Sequence, residues 1–208
     1  MDTLHRKPGS AVTGLAEESG SSNPVFVMQR ASMRIGFRKA FTSDAELLID
    51  IYNSAFYRDY IRYGTCPAYG KTKEMMEQSI LDYPKFLIIY DSRPVGCISC
   101  KEAWNGICEI GCLCVLPEYQ GKGIGTAAVE FIKTYYRDWK QITLVTPADK
   151  EENVRFYTKK CGFDIQSVEM DGCVKVYRFV LERSVPGHKF KSAPRLRMTF
   201  SFFTAWEE

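Results

Sequence analysis

Apolar and polar residues alternate from Met33 to Ala40, the two-residue period of a half-buried strand. Ser43-Asp44-Ala45-Glu46 has the form of a capping box. It opens a helix whose apolar face carries Leu47, Leu48, Ile51, Tyr52, Ala55 and Phe56. Thr72 is placed to cap a second helix running through Leu81. Phe86-Leu87-Ile88-Ile89-Tyr90 is a continuous apolar run of strand length. Asp91-Ser92-Arg93-Pro94 turns it back into the strand Val95–Cys100, and Asn105-Gly106 makes a second turn into the strand Ile107–Val115.

Pro117 ends that strand, and a glycine-rich turn leads into a helix from about Gly123 to Trp139. Its stripe is Ile124, Ala128, Phe131, Ile132, Tyr135 and Trp139. Ile142-Thr143-Leu144-Val145 predicts a strand, and Glu151–Lys160 a short helix stopped by Gly162. Phe163–Glu169 and Cys173–Leu181 close the pattern as a hairpin across Asp171-Gly172. One strand, two helices, three antiparallel strands, a helix, a strand, a helix and two strands make an α+β fold. Its central sheet is mixed, mostly antiparallel and flanked by helices.

The ends read differently. Residues 1–32 are rich in Gly and Ser and are expected to form a disordered leader, with Met33 a candidate alternative start. Residues 184–208 open with Pro186-Gly187, continue through Lys189, Lys191, Arg195 and Arg197, and finish in an apolar stretch. They are expected to be a weakly ordered basic and aromatic tail. The domain proper is then 33–183. The chain of 208 residues carries a net charge of +3, with little of it in 33–183, so bulk charge makes no case for nucleic acid. No apolar run is long enough for stable membrane insertion, and the first twenty residues have no apolar signal core. The expected location is cytoplasmic.

Scarcity narrows the chemistry. The two histidines, His5 and His188, lie near the ends, so a histidine-based triad or zinc site inside the domain is not expected. General acid–base work falls to Glu, Asp, Tyr, Lys or Cys. Eight cysteines are present, and Cys97-Ile98-Ser99-Cys100 has CxxC spacing without a second pair. Most lie in strand-like runs and read as buried free thiols of a reducing compartment, so no metal is expected.

Gln120-Gly121-Lys122-Gly123-Ile124-Gly125-Thr126 stands between a strand and a helix, where backbone N–H groups and the helix dipole converge. A pyrophosphate site is the natural reading, and a glycine-rich turn with no ligand the plain one. Gly123 to Ala128 also matches GxGxxA, but it follows an antiparallel meander and Pro117 rather than the first strand of a βαβ unit. The P-loop pattern is absent.

Leu113-Cys114-Val115-Leu116-Pro117-Glu118-Tyr119 followed by Gln120 to Gly125 resembles the acetyl-CoA motif of GNAT-type N-acetyltransferases, Q/R-x-x-G-x-G/A after an apolar strand. Phe156-Tyr157-Thr158-Lys159-Lys160-Cys161-Gly162-Phe163 resembles the family's FYxKxGF segment. The resemblance covers residues 33–183. It implies acetyl-CoA as cosubstrate, with pantetheine paired to Leu113, Cys114 and Val115 where two strands splay. It places the pyrophosphate on Gln120, Gly121, Lys122, Gly123, Ile124, Gly125 and Thr126. Relatives often bind the pantetheine arm with Asn seven residues before the tyrosine. Here that position is Lys150, and Asn153 is the asparagine at hand.

Acetyl transfer to an amine needs a base to free the nucleophile and an acid for the leaving thiolate. Glu109, a carboxylate in an otherwise apolar strand, is the candidate general base; the other reading is a solvated charge or half of an ion pair. By alternation it should share a face with Gly111, Leu113 and Val115. Histone-acetyltransferase members of the family place their base at this position. Tyr157 is the candidate general acid by resemblance, and a core tyrosine otherwise. Ribosomal-protein N-terminal acetyltransferases use a glutamate where this chain has Val145, which speaks against their mechanism.

Tyr52, Phe56, Tyr57, Tyr60, Tyr63 and Tyr69 are expected to wall an acceptor pocket, with Asp59 a candidate anchor for an ammonium group. The acceptor is a small-molecule amine or a peptide amine, and a homodimer stays open. A covalent acyl carrier on Cys112 or Cys114 is the less economical route. The rival reading from another class is a non-catalytic acyl-CoA-binding regulatory module.

Overall fold

The computed structural model describes residues 33–183 and, upstream of them, residues 15–17 and 25–30. The strands are β1 (Leu15–Glu17), β2 (Val25–Arg30), β3 (Met33–Lys39), β4 (Lys85–Tyr90), β5 (Arg93–Trp104), β6 (Ile107–Val115), β7 (Gln141–Pro147), β8 (Asp164–Asp171) and β9 (Val174–Glu182). The helices are α1 (Ala45–Tyr63), α2 (Lys73–Asp82), α3 (Ile124–Tyr135) and α4 (Glu151–Arg155). The strands form one sheet in the order β1-β2-β3-β4-β5-β6-β7-β9-β8. Every pairing is antiparallel except β6 with β7. From residue 33 onward the element order is the expected one.

Three local expectations change. The leader, read as lacking regular structure, contributes β1 and β2, and β2 pairs with β3 from Phe26↔Phe37 to Arg30↔Met33. Val25-Phe26-Val27-Met28 is a run of β-formers beside a strand edge that would otherwise stay open. The remaining leader residues and the basic tail lie outside the described residues. The capping box does not form: the Asp44 carboxylate accepts the Phe41 N–H at 2.9 Å and binds Arg38 at 2.7 Å. Glu46 reaches Lys73 at 2.8 Å instead of turning back. Arg38 also holds the Asp44 carboxyl below its usual range, against the opposing effect of burial. Finally, α3 stops at Tyr135 rather than Trp139, because the chain must return for the Lys140 N–H to reach Gly106 O at 2.7 Å. By contrast Thr72 caps α2 as expected, accepting the Met75 N–H at 3.3 Å.

Two cores lie on opposite faces of the sheet. On one, α3 packs Ile124, Phe131 and Ile132 against Phe37, Phe86 and Ile98. The Phe37 and Phe131 rings stack at 4.3 Å. Each such side chain contributes about 1.5–3 kcal/mol by leaving water. On the other face, α1 and α2 bring Leu48, Ile51, Tyr52, Met76 and Ile80 onto Leu87, Cys97 and Cys114. Cys97 and Cys100 thus point to opposite faces, so the CxxC spacing on a strand cannot close on one ion. Among the described residues no cluster of metal-ligating side chains occurs, and no helix is long and apolar enough to cross a membrane.

Candidate active site

The site begins where two strands stop pairing. β6 and β7 run parallel only from Ile107↔Gln141 to Glu109↔Thr143. Beyond that point β6 stays paired to β5 as far as Gly96↔Val115, while β7 follows β9 to Pro147↔Val176. The sheet forks, and the edge of β6 that faces β7 is left without a strand partner. The resulting cleft is lined by Ile110 to Val115 on one side, Leu144 to Pro147 on the other, and also by Gln120, Lys150, Asn153 and Tyr157. Leu113, Cys114 and Val115 are the last three residues of that unpaired edge.

A bulge re-aims β6. Ser99 pairs with Cys112 and Cys100 with Ile110, so Gly111 is the extra residue. A Cβ on Gly111 would stand 2.9 Å from the Tyr83 ring, whose hydroxyl donates to Glu109 O at 2.7 Å. Only glycine leaves room for that ring. The bulge breaks simple alternation. Leu113 and Val115 pack on the α3 face, whereas Cys114 belongs to the core under α1 and α2. Glu109, paired with Lys101 below the bulge, shares its face with Cys112 and Cys114, not with Leu113 and Val115. The side chain is half-buried at the apex of the fork, just below the cleft lining. Burial pushes its carboxyl above the usual range, and nearby Arg178 and Lys101 oppose the shift.

The glycine turn leads from the end of β6 to the first turn of α3. Gly121 (φ 76°) and Gly123 (φ 79°) both adopt left-handed backbone, which other residues resist. The Gln120 amide donates to Val115 O at 3.0 Å and ties the turn to the strand. Gly125 admits the Phe156 ring, which would lie 3.0 Å from a Cβ there. Ile124 is a core residue, and Thr126 is half-buried in the first turn of α3. Lys122 turns aside, its ammonium lying 4.8 Å from the Tyr119 ring and 5.6 Å from that of Tyr90.

Tyr157 is a buried residue lining the cleft, on a π-helical turn, Phe156–Lys160, that widens the end of α4. The Cys161 N–H reaches back to Phe156 O at 3.2 Å. The Tyr157 ring packs against Phe156, Phe163 and Phe179, with centroids 4.9, 5.8 and 5.6 Å away. Its hydroxyl hydrogen-bonds to no other described residue, and burial holds its pKa above the usual value. Nearby, the Asn153 amide donates to Thr146 Oγ1 at 2.9 Å, which fixes it against β7.

The aromatic residues expected to wall an acceptor pocket fall into two groups. Tyr52 and Phe56 are buried under α1; Tyr57 and Tyr60 are exposed, and Tyr60 stacks on Tyr69 at 4.6 Å. Asp59 is not free to hold a substrate ammonium, because Lys150 already occupies it at 2.8 Å. Tyr63 donates to Asp149 at 2.6 Å and Arg62 pairs with it at 2.7 Å, so the end of α1 is clipped to the loop after β7. This strap was not foreseen. The acidic and basic members lie about ninety residues apart, and only the fork brings them together.

A forked sheet with a glycine turn at a helix N-terminus is an acetyltransferase architecture, and comparison with known proteins agrees. Residues 46–163 match the family model described as Acetyltransferase (GNAT) family. The chain belongs to that family. Among curated proteins, the uncharacterised protein YrkN of Bacillus subtilis (strain 168) is 43% identical over 51 residues, which span 24% of this chain and 28% of YrkN. An acetyltransferase from Thermus thermophilus is 17% identical with a TM-score of 0.59, over 72% of this chain and 97% of that one. The PaiA N-acetyltransferase from Thermoplasma acidophilum, solved in complex with coenzyme A, gives 20% and 0.56, over 69% and 97%. The ribosomal-protein-S18-alanine N-acetyltransferase from Escherichia coli gives 14% and 0.58, over 75% and 99%. At such identities the likeness to solved structures speaks for the fold alone.

Proposed function

We propose that this protein transfers the acetyl group of acetyl-CoA to a primary amine by direct attack, within a domain spanning residues 33–183. The observation that carries this is the fork beyond Glu109 and Thr143. It leaves a strand edge at Leu113, Cys114 and Val115 that leads straight to the turn Gln120–Thr126. An extended pantetheine arm fits such an edge as an added strand. A pyrophosphate fits left-handed glycines at a helix N-terminus. Asn153, on α4 and held against Thr146 of β7, flanks the arm in this reading.

Glu109 is the base in this reading. Most alkylamines are protonated at neutral pH, with a pKa near 10.4, so a proton must leave before attack. A carboxyl raised by burial retains a proton-accepting role near neutrality. Glu109 faces the side covered by α1 and α2, where the acceptor would approach. Free-edge N–H groups of β6 supply donors for the developing oxyanion. Tyr157, which lines the same cleft, gives its proton to the departing thiolate. Its unbonded hydroxyl is available for that, and the aromatic packing around it fixes the ring.

The test is release of free CoA from acetyl-CoA in the presence of amines, amino acids, aminoglycosides and peptides. Turnover with at least one acceptor, with N-acetyl product by mass, supports the reading. Tight acetyl-CoA binding with no turnover on the whole panel would make the protein an acyl-CoA-binding module instead.

A further inference from the structure

Beyond the fork the two arms of the sheet are joined differently on the two faces. On the α3 face a shared apolar core holds Ile110 of β6 together with Leu144 of β7 and Tyr157. On the other face the crossing is polar. α1 belongs to the β6 arm, because Tyr52 and Phe56 pack with Cys97 and Cys114. From it Asp59 reaches Lys150, in the loop between β7 and α4, whose Nζ lies 2.8 and 2.9 Å from the two carboxylate oxygens. Both residues line the cleft, and their side chains are 15% and 16% exposed. The second crossing pair, Arg62 with Asp149, is 50% exposed at each side chain. Exposed pairs contribute little and hold no fixed geometry. A sheltered pair adds little net stability too, but losing one partner is costly, so its geometry is defined.

Lys150 is also the residue from which α4 starts. Its carbonyl accepts the N–H groups of Asn153 and Val154, both at 3.0 Å. A five-residue helix, Glu151–Arg155, is too short to be stable by itself in water, so its anchors set its direction. One anchor is Asn153 on Thr146, within the β7 arm. Another is Lys150 on Asp59, across the cleft. The π-helical turn that carries Tyr157 follows directly. Aromatic packing fixes Tyr157 against Phe163 and Phe179, on its own arm. On the α1 side, the sheltered ion pair ties that arm to the one holding β6.

We propose that Asp59 is a positioning residue for acetyl transfer. Acting through Lys150, it sets how far Tyr157 stands from the β6 edge, and so from the sulfur of the thioester. This rests on the acetyltransferase reading and on Tyr157 as its acid. Proton transfer to the departing sulfur needs hydrogen-bond reach, and a small displacement of the donor is costly. The pyrophosphate turn lies in another part of the chain. Loss of the pair should therefore act on kcat far more than on cofactor affinity.

Two measurements test the proposal. Asp59→Leu combined with Lys150→Met replaces the pair by apolar side chains, an exchange that is often neutral for stability. With saturating acetyl-CoA, kcat of this double variant should fall about tenfold, while acetyl-CoA affinity changes by less than about threefold. Its melting temperature should not drop. In a Tyr157→Phe background the same exchange should cost less than about twofold, because the group it positions is already gone. A wild-type kcat in the double variant overturns the inference while leaving acetyl transfer intact. So does an equal loss in both backgrounds. If Tyr157→Phe alone turns over as fast as the wild type, the acid assignment fails and the inference with it. If the double variant does not fold, Asp59→Asn is read in the same assays.

The second measurement needs no turnover. Saturating coenzyme A should shift the ring NMR signals of Tyr157 in the wild type, identified by their loss in Tyr157→Phe. In the double variant it should shift them measurably less. If no amine is acetylated at all, the acetyltransferase reading fails and this result alone decides whether the pair places Tyr157. An equal shift in both proteins, or no shift in the wild type, overturns it.

Discussion

The two faces of β6 are built from different materials. On the α3 face, the strand edge, the glycine turn and the helix N-terminus offer backbone groups, and the side chains there, Leu113, Val115 and Ile124, are apolar packing. On the α1 and α2 face, the same strand carries Glu109 and Cys112, in rows with Lys101, Ser99 and Lys85. Gly111 separates the two regimes, because its bulge decides which side chains go to which face. A cofactor common to a whole family can be held by backbone. In the proposed reading the acceptor is met by side chains, and those stand on the other face.

If that division is right, the largest effects should come from removing single functional groups at the junction. Glu109→Gln should lower the rate at neutral pH by roughly 10²-fold or more while leaving acetyl-CoA affinity nearly unchanged. In the wild type the rate should rise with pH through a value above the ordinary carboxylate range, since burial raises that carboxyl. In the variant this limb should vanish and the residual rate should climb toward the pKa of the amine itself. Stability provides a control of opposite sign. A carboxyl whose pKa is raised by folding stabilises the protein when protonated and loses that contribution as pH rises. Glu109→Gln should therefore melt no lower than the wild type at pH 7. A variant that loses activity and stability together would mean a structural carboxylate.

Tyr157→Phe keeps the ring among Phe156, Phe163 and Phe179 and deletes one hydroxyl that bonds to no described residue. Turnover should fall by roughly 10²-fold, with CoA affinity and melting temperature little changed. Near-native turnover would remove Tyr157 from the chemistry and leave it a core residue. Gly123→Val attacks the other face. A β-branched residue at φ 79° is strained by about 1–3 kcal/mol, and its side chain would crowd the turn. Acetyl-CoA affinity, measured by calorimetry, should drop about 10- to 100-fold, and the cofactor's thermal shift should shrink with it. Unaltered binding by a folded variant would place the pyrophosphate elsewhere.

The same division explains what could be read from the chain. The glycine turn, the apolar strand before it and the FYxKxGF segment are local patterns, so the proposed cofactor side could be read as residues 113–126 and Tyr157. The order of elements from 33 to 183 follows from periodicity and turn residues alone. The acceptor side was not legible in that way. Alternation put Glu109 beside Leu113 and Val115 because a bulge needs only one glycine with Tyr83 above it, and no local pattern announces that ring. Asp59 looked like a free anchor because Lys150 lies far away in sequence. The row Lys85–Ser99–Cys112 depends on three strands falling into register. The failed capping box has the same origin: Arg38, six residues upstream on β3, outcompeted the helix for Asp44.

The smallest expected effect is the one the motif alone would have exaggerated. Lys122 stands between Gly121 and Gly123, where a cation beside a pyrophosphate is an easy assumption. Its ammonium instead lies over the Tyr119 ring at 4.8 Å and near Tyr90 at 5.6 Å, and these two rings meet at 5.8 Å. An exposed cation–π contact is worth about 0.5–1 kcal/mol, comparable to what a solvated lysine gains from a phosphate at physiological salt. Backbone N–H groups of the turn carry no such cost of rearrangement. Lys122→Ala should therefore weaken acetyl-CoA binding by no more than about threefold, with little change in its salt dependence. A loss above tenfold that disappears in high salt would mean that Lys122 leaves the two tyrosines when the cofactor arrives. The α3 face would then owe part of its grip to a side-chain charge rather than to backbone alone.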